Sequence, residues 1–457
     1  MASSRPPAEF PVSVRSTDDV PGRFHLAWEA LACPPTWRRV VAAVSGGPDS
    51  LALLHLLHES QHGHRLELIV VHADHGIHPE SRLVADQVVR DATALGLSVR
   101  VGRLGLGAAA SETRARTARH AWLEETRLAE GADAIVLAHH QDDQVETILL
   151  RVLGGSGPAG LAGMAPRQGR RLRPLLGFRK AELVAWLTAK GVSGWLDPAN
   201  HDPVHDRSWL RAVVLPLLAD RSPEVTERLL RLGHQATANR EAWDAALDTL
   251  PGLHAEASAD RISVAALPLA AYDSALATAL LQAVARRIGC VLGARRAGRL
   301  LEMTRRGRSG AVMELGGQWR AELAFGRICF HRALAESAPM LVGGGRGESD
   351  WGPWRVSWGR APAPAEPRRD GWVGWFIGEW AVLRGPKPGD RLTPLGGSGA
   401  RPVSRLLQEA RVERSRRAGW PLLELDGNIV WVGGICRGAA AMPGEGEDAL
   451  RIEVSGG

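Results

Sequence analysis

The feature that most constrains this chain is a short apolar run, Val40-Val41-Ala42-Ala43-Val44, that leads straight into Ser45-Gly46-Gly47-Pro48-Asp49-Ser50. An apolar helical pattern through Leu51, Leu54 and Leu57 follows at once. The apolar run reads as a buried strand, so the chain predicts strand, glycine loop and helix in sequence. Gly46 and Gly47 admit backbone conformations closed to other residues and let the chain approach an anion. The amides that open the next helix point at that anion, and the helix dipole favours its charge. Ser45 and Ser50 add hydroxyl donors. Asp49 is a carboxylate among expected phosphates, which suits either a magnesium ion or a helix cap. No lysine follows the glycines and the spacing is too short for a Walker A loop.

The same alternation continues. Leu66 to Val71 reads as a second strand and Leu83 to Leu95 as a helix. Ser98 to Leu104 reads as a third strand, followed by a helix from about Ser111 to Ala129. Ala134 to Ala138 reads as a fourth strand, and the next helix runs from about Asp142 to Leu153. Strand and helix periods in turn predict an α/β fold, a parallel sheet flanked by helices. Ligands of such sheets sit beyond the carboxyl ends of the strands. Two further polar clusters fall at those ends. One is His72-Ala73-Asp74-His75-Gly76, where His72 and Asp74 suit a nucleotide wall. The other is His139-His140-Gln141-Asp142-Asp143-Gln144-Val145-Glu146-Thr147. If Asp142 opens the helix, Asp142 and Glu146 share one face and Asp143 lies beside them. Helix capping accounts for one or two of these carboxylates but not for three beside two histidines. Such a cluster can hold magnesium, or bind an ammonium group and take its proton. Between the clusters, Arg116 and Arg119 are spaced to face one ligand, although by themselves a solvated basic stripe explains them better.

At 457 residues the chain exceeds one ordinary core. Five regions are expected: a flexible tail over 1–24, a catalytic domain over 25–216, a mostly helical middle domain ending in strands over 217–335, a Gly/Pro/Trp-rich linker over 336–371 and a small mixed α/β domain over 372–457. The formal charge is +6, from 56 Lys and Arg against 50 Asp and Glu, and only Lys180, Lys190 and Lys387 are lysines. An arginine-heavy surface suits phosphate-bearing partners. Cys33, Cys290, Cys329 and Cys436 are far apart and form no Cys-x-x-Cys pair, which leaves zinc and iron–sulfur chemistry without support. No apolar run reaches 18 residues, and the first 20 residues carry no apolar core, so no membrane is expected and the cytoplasm is the default.

The loop Ser45 to Ser50 resembles that of the N-type ATP pyrophosphatases, which cleave ATP between the α and β phosphates and adenylate a substrate. The wider pattern resembles the tRNA(Ile)-lysidine synthetase family. The matching stretches are Glu112 to His120, His139 to Thr147, Gly160-Leu161-Ala162-Gly163-Met164 and Arg173-Pro174-Leu175-Leu176. Trp195 to Asn200, Asp206-Arg207-Ser208-Trp209-Leu210-Arg211, Pro388 to Leu392 and Trp420-Pro421-Leu422-Leu423 continue it. The chain departs from that family at His120 (usually Tyr), at Gly154 (usually Arg) and at Ser208 (usually Asn). The resemblance implies an adenine nucleotide α-hydrolase-like catalytic domain and a small C-terminal tRNA-binding domain. It further implies ligation of free lysine to carbon 2 of the wobble cytidine in a minor isoleucine tRNA with a CAU anticodon, through an adenylated tRNA. The expected ATP contacts are Ser45, Gly46, Gly47, Pro48, Asp49, Ser50, His72 and Asp74. Catalysis is expected of Asp49, Arg116, Asp142, Asp143 and Glu146, with magnesium on Asp49 and Asp142. Lysine is expected at His139, His140, Asp143 and Glu146. The tRNA is expected at Arg119, Arg151, Arg207, Arg211 and Arg391, with Arg151 standing in for the arginine replaced by Gly154. A homodimer is compatible with the sequence and not demanded by it.

Other enzymes of the ATP pyrophosphatase class fit less well. A tRNA thiolase would need a reactive cysteine, and no cysteine lies in the three clusters. A GMP or asparagine synthetase would bring a glutamine-handling module, yet Ala2 rather than cysteine follows Met1. A non-catalytic RNA-binding protein would have no use for the intact Asp49, Asp142, Asp143 and Glu146.

Overall fold

The computed structural model describes residues 19–76, 80–107, 111–195, 206–250, 252–258, 261–333, 337–365 and 371–456. Within the Trp195 to Asn200 stretch, the residues after Trp195 lie outside the described residues. The chain divides into two compact units, Met1–Arg240 and Glu241–Gly457.

The first unit opens with helix α1 (Val20–Ala30), whose start is capped by the Asp19 carboxylate accepting from the Gly22 amide at 2.8 Å. Val20, Phe24 and Trp28 recur every fourth residue and are buried, so residues 20–24 of the expected tail belong to a packed helix. Strand β1 (Arg39–Ala43), helix α2 (Pro48–His64), strand β2 (Glu67–Asp74), helix α3 (Ser81–Ala94), strand β3 (Ser98–Arg103) and helix α4 (Glu112–Ala129) then alternate as expected. Strand β4 (Ala134–Val136), helix α5 (Gln141–Leu153), the short strands β5 (Arg167–Gln168) and β6 (Arg171–Leu172) and helix α6 (Lys180–Ala189) complete the sheet layer. Residues 206–221 and Val225–Thr249 are helical.

The sheet order is β3-β2-β1-β4-β6-β5. All neighbours run parallel except β5 against β6. Alternate residues of β1 and its extension bury opposite faces: Val40, Ala42 and Val44 join the core formed with α1, α2 and α6, whereas Val41 packs with Ile69, Val71, Leu123 and Ile135. The strand order reverses between β1 and β4, and the crevice at such a switch point opens at the strands' carboxyl ends. The loop after β1 and the acidic segment after β4 are therefore neighbours by topology.

In the second unit, helices Ala266–Ala271, Ser274–Arg287 and Ala294–Arg306 pack on a five-stranded antiparallel sheet. Its strands 256–258 and 261–265 were not foreseen in the mostly helical reading. The stretch read as a linker is also different: Met340–Gly343, Gly347–Trp351 and Trp354–Pro362 are strands. The last of these pairs along its whole length with Asp448–Gly456. Its glycines make room for indoles, since a Cβ on Gly347 would lie 2.4 Å from the Trp358 ring. Among the described residues, no helix is long and apolar enough to cross a membrane.

Candidate active site

The phosphate loop is shaped by its own serines. Buried Ser50 accepts from the Ser45 amide at 3.1 Å through its hydroxyl and donates to the Gly47 carbonyl at 2.8 Å, while the Ser45 hydroxyl lies 3.2 Å away. Ser50 thus fixes the turn. Gly46 takes φ +87°, and a Cβ there would meet Val84 Cγ1 at 2.6 Å, so the turn needs glycine on both counts. Pro48 sits at the first helical position, where no amide is missed, and the Ser50 and Leu51 amides donate to the Gly47 carbonyl at 3.1 and 3.0 Å.

Beside this loop lies a cluster of charges. His140, 3% exposed, stands at the start of α5 with its ring among three carboxylates. Its Nε2 is 3.5 Å from Asp49 Oδ2 and 3.6 Å from Asp143 Oδ2, and its Nδ1 is 3.4 Å from Asp142 Oδ2. Burial disfavours the charged ring, but Asp142, Asp49 and Asp143 outweigh burial and lift its pKa to about 10. His140 is therefore a cation at neutral pH. Burial likewise works against the carboxylates, yet His140 and the Lys180 amide hold Asp142 at about 2, and His140 with Lys180 lowers Asp49. Asp143 also accepts from the His140 amide at 3.0 Å, which caps α5.

Glu146, one turn along, is 1% exposed. Its Oε1 accepts from Arg211 Nε and Nη2 at 2.8 and 2.7 Å, and Arg207 Nη1 lies 3.8 Å from Oε2. Burial raises the Glu146 pKa in spite of Arg211. Arg207 also donates to Thr147 at 3.3 Å, and Arg211 lies 4.0 Å from Asp143. Both arginines, expected at tRNA, thus face the acidic cluster. Arg151 Nη1 donates to the carbonyls of Gly160 and Gly163 at 2.9 Å each, so it braces the following segment.

On the other side the environment is basic. His139 is held neutral, at about 3, by burial and by Arg173, Arg116, Arg119 and Arg207. His120 is held at about 4 by burial and by Arg171, Arg119, Arg116 and Arg173. Arg116 and Arg119 both add to the positive charge felt by His139 and His120. His72 is buried with Nδ1 2.8 Å from the Val44 carbonyl, and Asp74 accepts from the Gly76 amide at 2.9 Å, so both shape the edge of the crevice. Arg391, in the second unit, donates to the Ala400 carbonyl.

Sequence reasoning did not single out Lys180, Arg173 or the Gly194-Trp195 turn as site residues. Lys180 Nζ lies 3.3 Å from Asp49 Oδ2, and its backbone amide donates to Asp142 Oδ2 at 2.8 Å. Buried Arg173 donates to the Ala165 carbonyl at 2.8 Å. The Trp195 amide donates to the Gly46 carbonyl at 2.9 Å, and a Cβ on Gly194 would lie 2.5 Å from the Pro48 nitrogen. The scarcity of lysine was the one available signal for Lys180.

Comparison with known proteins agrees with this geometry. Residues 24–218 match the PP-loop domain family, and residues 381–454 match the TilS substrate C-terminal domain. A tRNA(Ile)-lysidine synthase of Symbiobacterium thermophilum is 33% identical over 91% of this chain and 94% of its own length. Another, from Leifsonia xyli, is 39% identical over 61% of this chain and 82% of its own. Among solved structures, the U34-tRNA thiolase NcsA from Methanococcus maripaludis aligns at a TM-score of 0.38 and 16% identity, covering 46% of this chain and 76% of its own. With the phosphate loop and acidic cluster brought together at the sheet's switch point, and with a relative matched almost end to end, the chain belongs to the tRNA(Ile)-lysidine synthase family.

Proposed function

We propose that this enzyme uses ATP to attach free lysine to carbon 2 of the wobble cytidine in a minor isoleucine tRNA with a CAU anticodon. The observation that carries the reading is the contact between the two halves of the crevice, with Asp49 Oδ2 3.5 Å from His140 Nε2. It supports a phosphate site set against a site for an amine.

The chemistry divides accordingly. The Gly46, Gly47 and Asp49 amides of the loop bind the phosphates of ATP, the Ser45 and Ser50 amides being engaged within the loop. The cytidine O2 attacks the α phosphorus, and the bond to the β phosphate breaks with its electrons going to pyrophosphate. Arg116 and Arg119, whose charge is felt at His139 and His120, would stabilise the charge that grows on the α phosphate. Asp49 Oδ1 is buried without a hydrogen-bond partner among the described residues, an oxygen of the kind magnesium accepts, so Asp49 with Asp142 would hold that ion. When bound, magnesium would supply charge neutralisation at the phosphates.

In the second step the lysine ε-ammonium is held by Asp143 and Glu146, loses a proton and attacks carbon 2, and AMP leaves. Glu146 suits the role of base because burial has already raised its pKa. His140 serves a different end from the one expected of it. A cationic ring does not bind an ammonium, and it instead orients Asp49, Asp142 and Asp143. The neutral ring of His139 remains able to accept a hydrogen bond from lysine. Further tRNA contacts fall to residues 372–457, including Arg391. The reading sets the enzyme in the cytoplasm with its tRNA, ATP and lysine.

The test is ATP–pyrophosphate exchange with the CAU-anticodon tRNA, followed by labelled-lysine incorporation. Exchange and incorporation together are expected. Exchange without incorporation would mean another nucleophile, and no exchange would end the enzymatic reading.

A further inference from the structure

The phosphate loop carries no lysine of its own, yet a lysine reaches it from far along the chain. Against 56 Lys and Arg in total the chain has three lysines, and one of them opens α6 over the loop. Lys180 is fixed at both ends: its backbone amide donates to Asp142 at 2.8 Å, and its ammonium lies 3.3 Å from Asp49 Oδ2 with the side chain about one-third exposed. The chain leaving α6 is clamped to the same loop, through the Trp195 amide on the Gly46 carbonyl and the close approach of Gly194 to Pro48. A compact, mobile ammonium serves as a point charge for phosphate, whereas a guanidinium forks onto two oxygens in a set geometry.

We propose that Lys180 is a catalytic residue of the adenylation step, its ammonium passing from Asp49 to the pyrophosphate as that group departs. The proposal rests on the adenylation reading above. In the step, the bond from cytidine O2 to the α phosphorus forms and the bond to the β-phosphate oxygen breaks. The electron pair stays on pyrophosphate. Lys180 gives up no proton; it balances the charge that accumulates on the leaving group. Asp49, released by the ammonium, is free to turn to other ligands, so the pair acts as an exchange of partners rather than as a fixed ion pair.

Lys180→Met and Lys180→Arg, made in the full chain, test this by ATP–pyrophosphate exchange with the CAU-anticodon tRNA. Lys180→Met is expected to lower exchange by about 100-fold, and Lys180→Arg to recover part of it. Product inhibition separates roles. Inhibition by pyrophosphate should weaken about 10-fold in Lys180→Met, while inhibition by AMP, which lacks the β and γ phosphates, should stay within about twofold. Exchange in Lys180→Met within about twofold of wild type overturns the proposal. So does equal weakening towards pyrophosphate and AMP, since a lysine that only orders Asp49 would affect both alike. If the wild-type chain itself makes no adenylated tRNA, the functional reading fails first and this proposal with it.

Discussion

Gly46 offers a direct measure of how much the loop's shape depends on its sequence. In Gly46→Ala the new Cβ meets two obstacles: a backbone at φ +87° and the Val84 Cγ1 methyl 2.6 Å away. The first costs about 1–2 kcal/mol. The second is overpacking against a side chain only 6% exposed, worth about 1–3 kcal/mol. The sum is roughly 2–5 kcal/mol. Val84→Ala removes the obstructing methyl at a cost of its own of about 1–2 kcal/mol. A double-mutant cycle in urea should therefore return a favourable coupling of about 1–3 kcal/mol, the steric share, and leave the backbone share in place. ATP–pyrophosphate exchange should fall in Gly46→Ala and stay depressed in the double variant, because the loop amides are still displaced. Stability within about 0.5 kcal/mol of wild type, or strict additivity of the two substitutions, would refute the reasoning.

Other sites give independent checks. Gly194→Ala sets a Cβ 2.5 Å from the Pro48 nitrogen and 2.7 Å from its Cα, atoms that cannot swing aside, so ATP affinity measured by calorimetry should drop by more than about 10-fold. Asp49→Asn removes the charge that His140 and Lys180 share, and should abolish adenylation while filter-binding shows nearly unchanged tRNA affinity; equal loss of both would indicate a folding role. In the second unit Asp390 is held below its ordinary pKa, since the Arg384 guanidinium at 2.8 and 2.9 Å and the Lys387 amide outweigh burial. A carboxylate with a lowered folded pKa gives stability that is full above the unfolded pKa and lost as pH falls through the folded one. Asp390→Asn should therefore cost about 2–4 kcal/mol at neutral pH and flatten the acid limb of the melting curve.

What the sequence makes legible here is what is local. The strand, loop and helix around Ser45 to Ser50 follow from apolar runs and glycines within a dozen residues, and the acidic cluster from its position after β4. What it hides is pairing across distance. Nothing near Lys180 in sequence points to Asp49, and Arg207 and Arg211 read as free cations until Glu146 and Asp143 are seen in front of them. The stretch 336–371, whose composition allows short strands in an irregular link, holds more strand than that for a related reason. Its glycines and tryptophans look like a loop, but Trp354–Pro362 is a strand whose partner, Asp448–Gly456, lies at the far end of the chain. His140 shows the limit most sharply: a histidine beside carboxylates reads as a ligand, and only the three surrounding oxygens reveal that it carries charge itself.

The central claim is that the phosphate loop and the acidic cluster form one site that joins lysine to tRNA. Incubating the full chain with ATP, labelled lysine and the CAU-anticodon isoleucine tRNA tests it most directly, with the nucleotide of the digested tRNA read by mass spectrometry. The account predicts one lysine on the wobble cytidine, with AMP and pyrophosphate formed in equal amounts, and loss of lysine attachment but not of adenylation in Glu146→Gln. Release of ADP and phosphate, or lysine attached with Glu146→Gln as active as wild type, would contradict it.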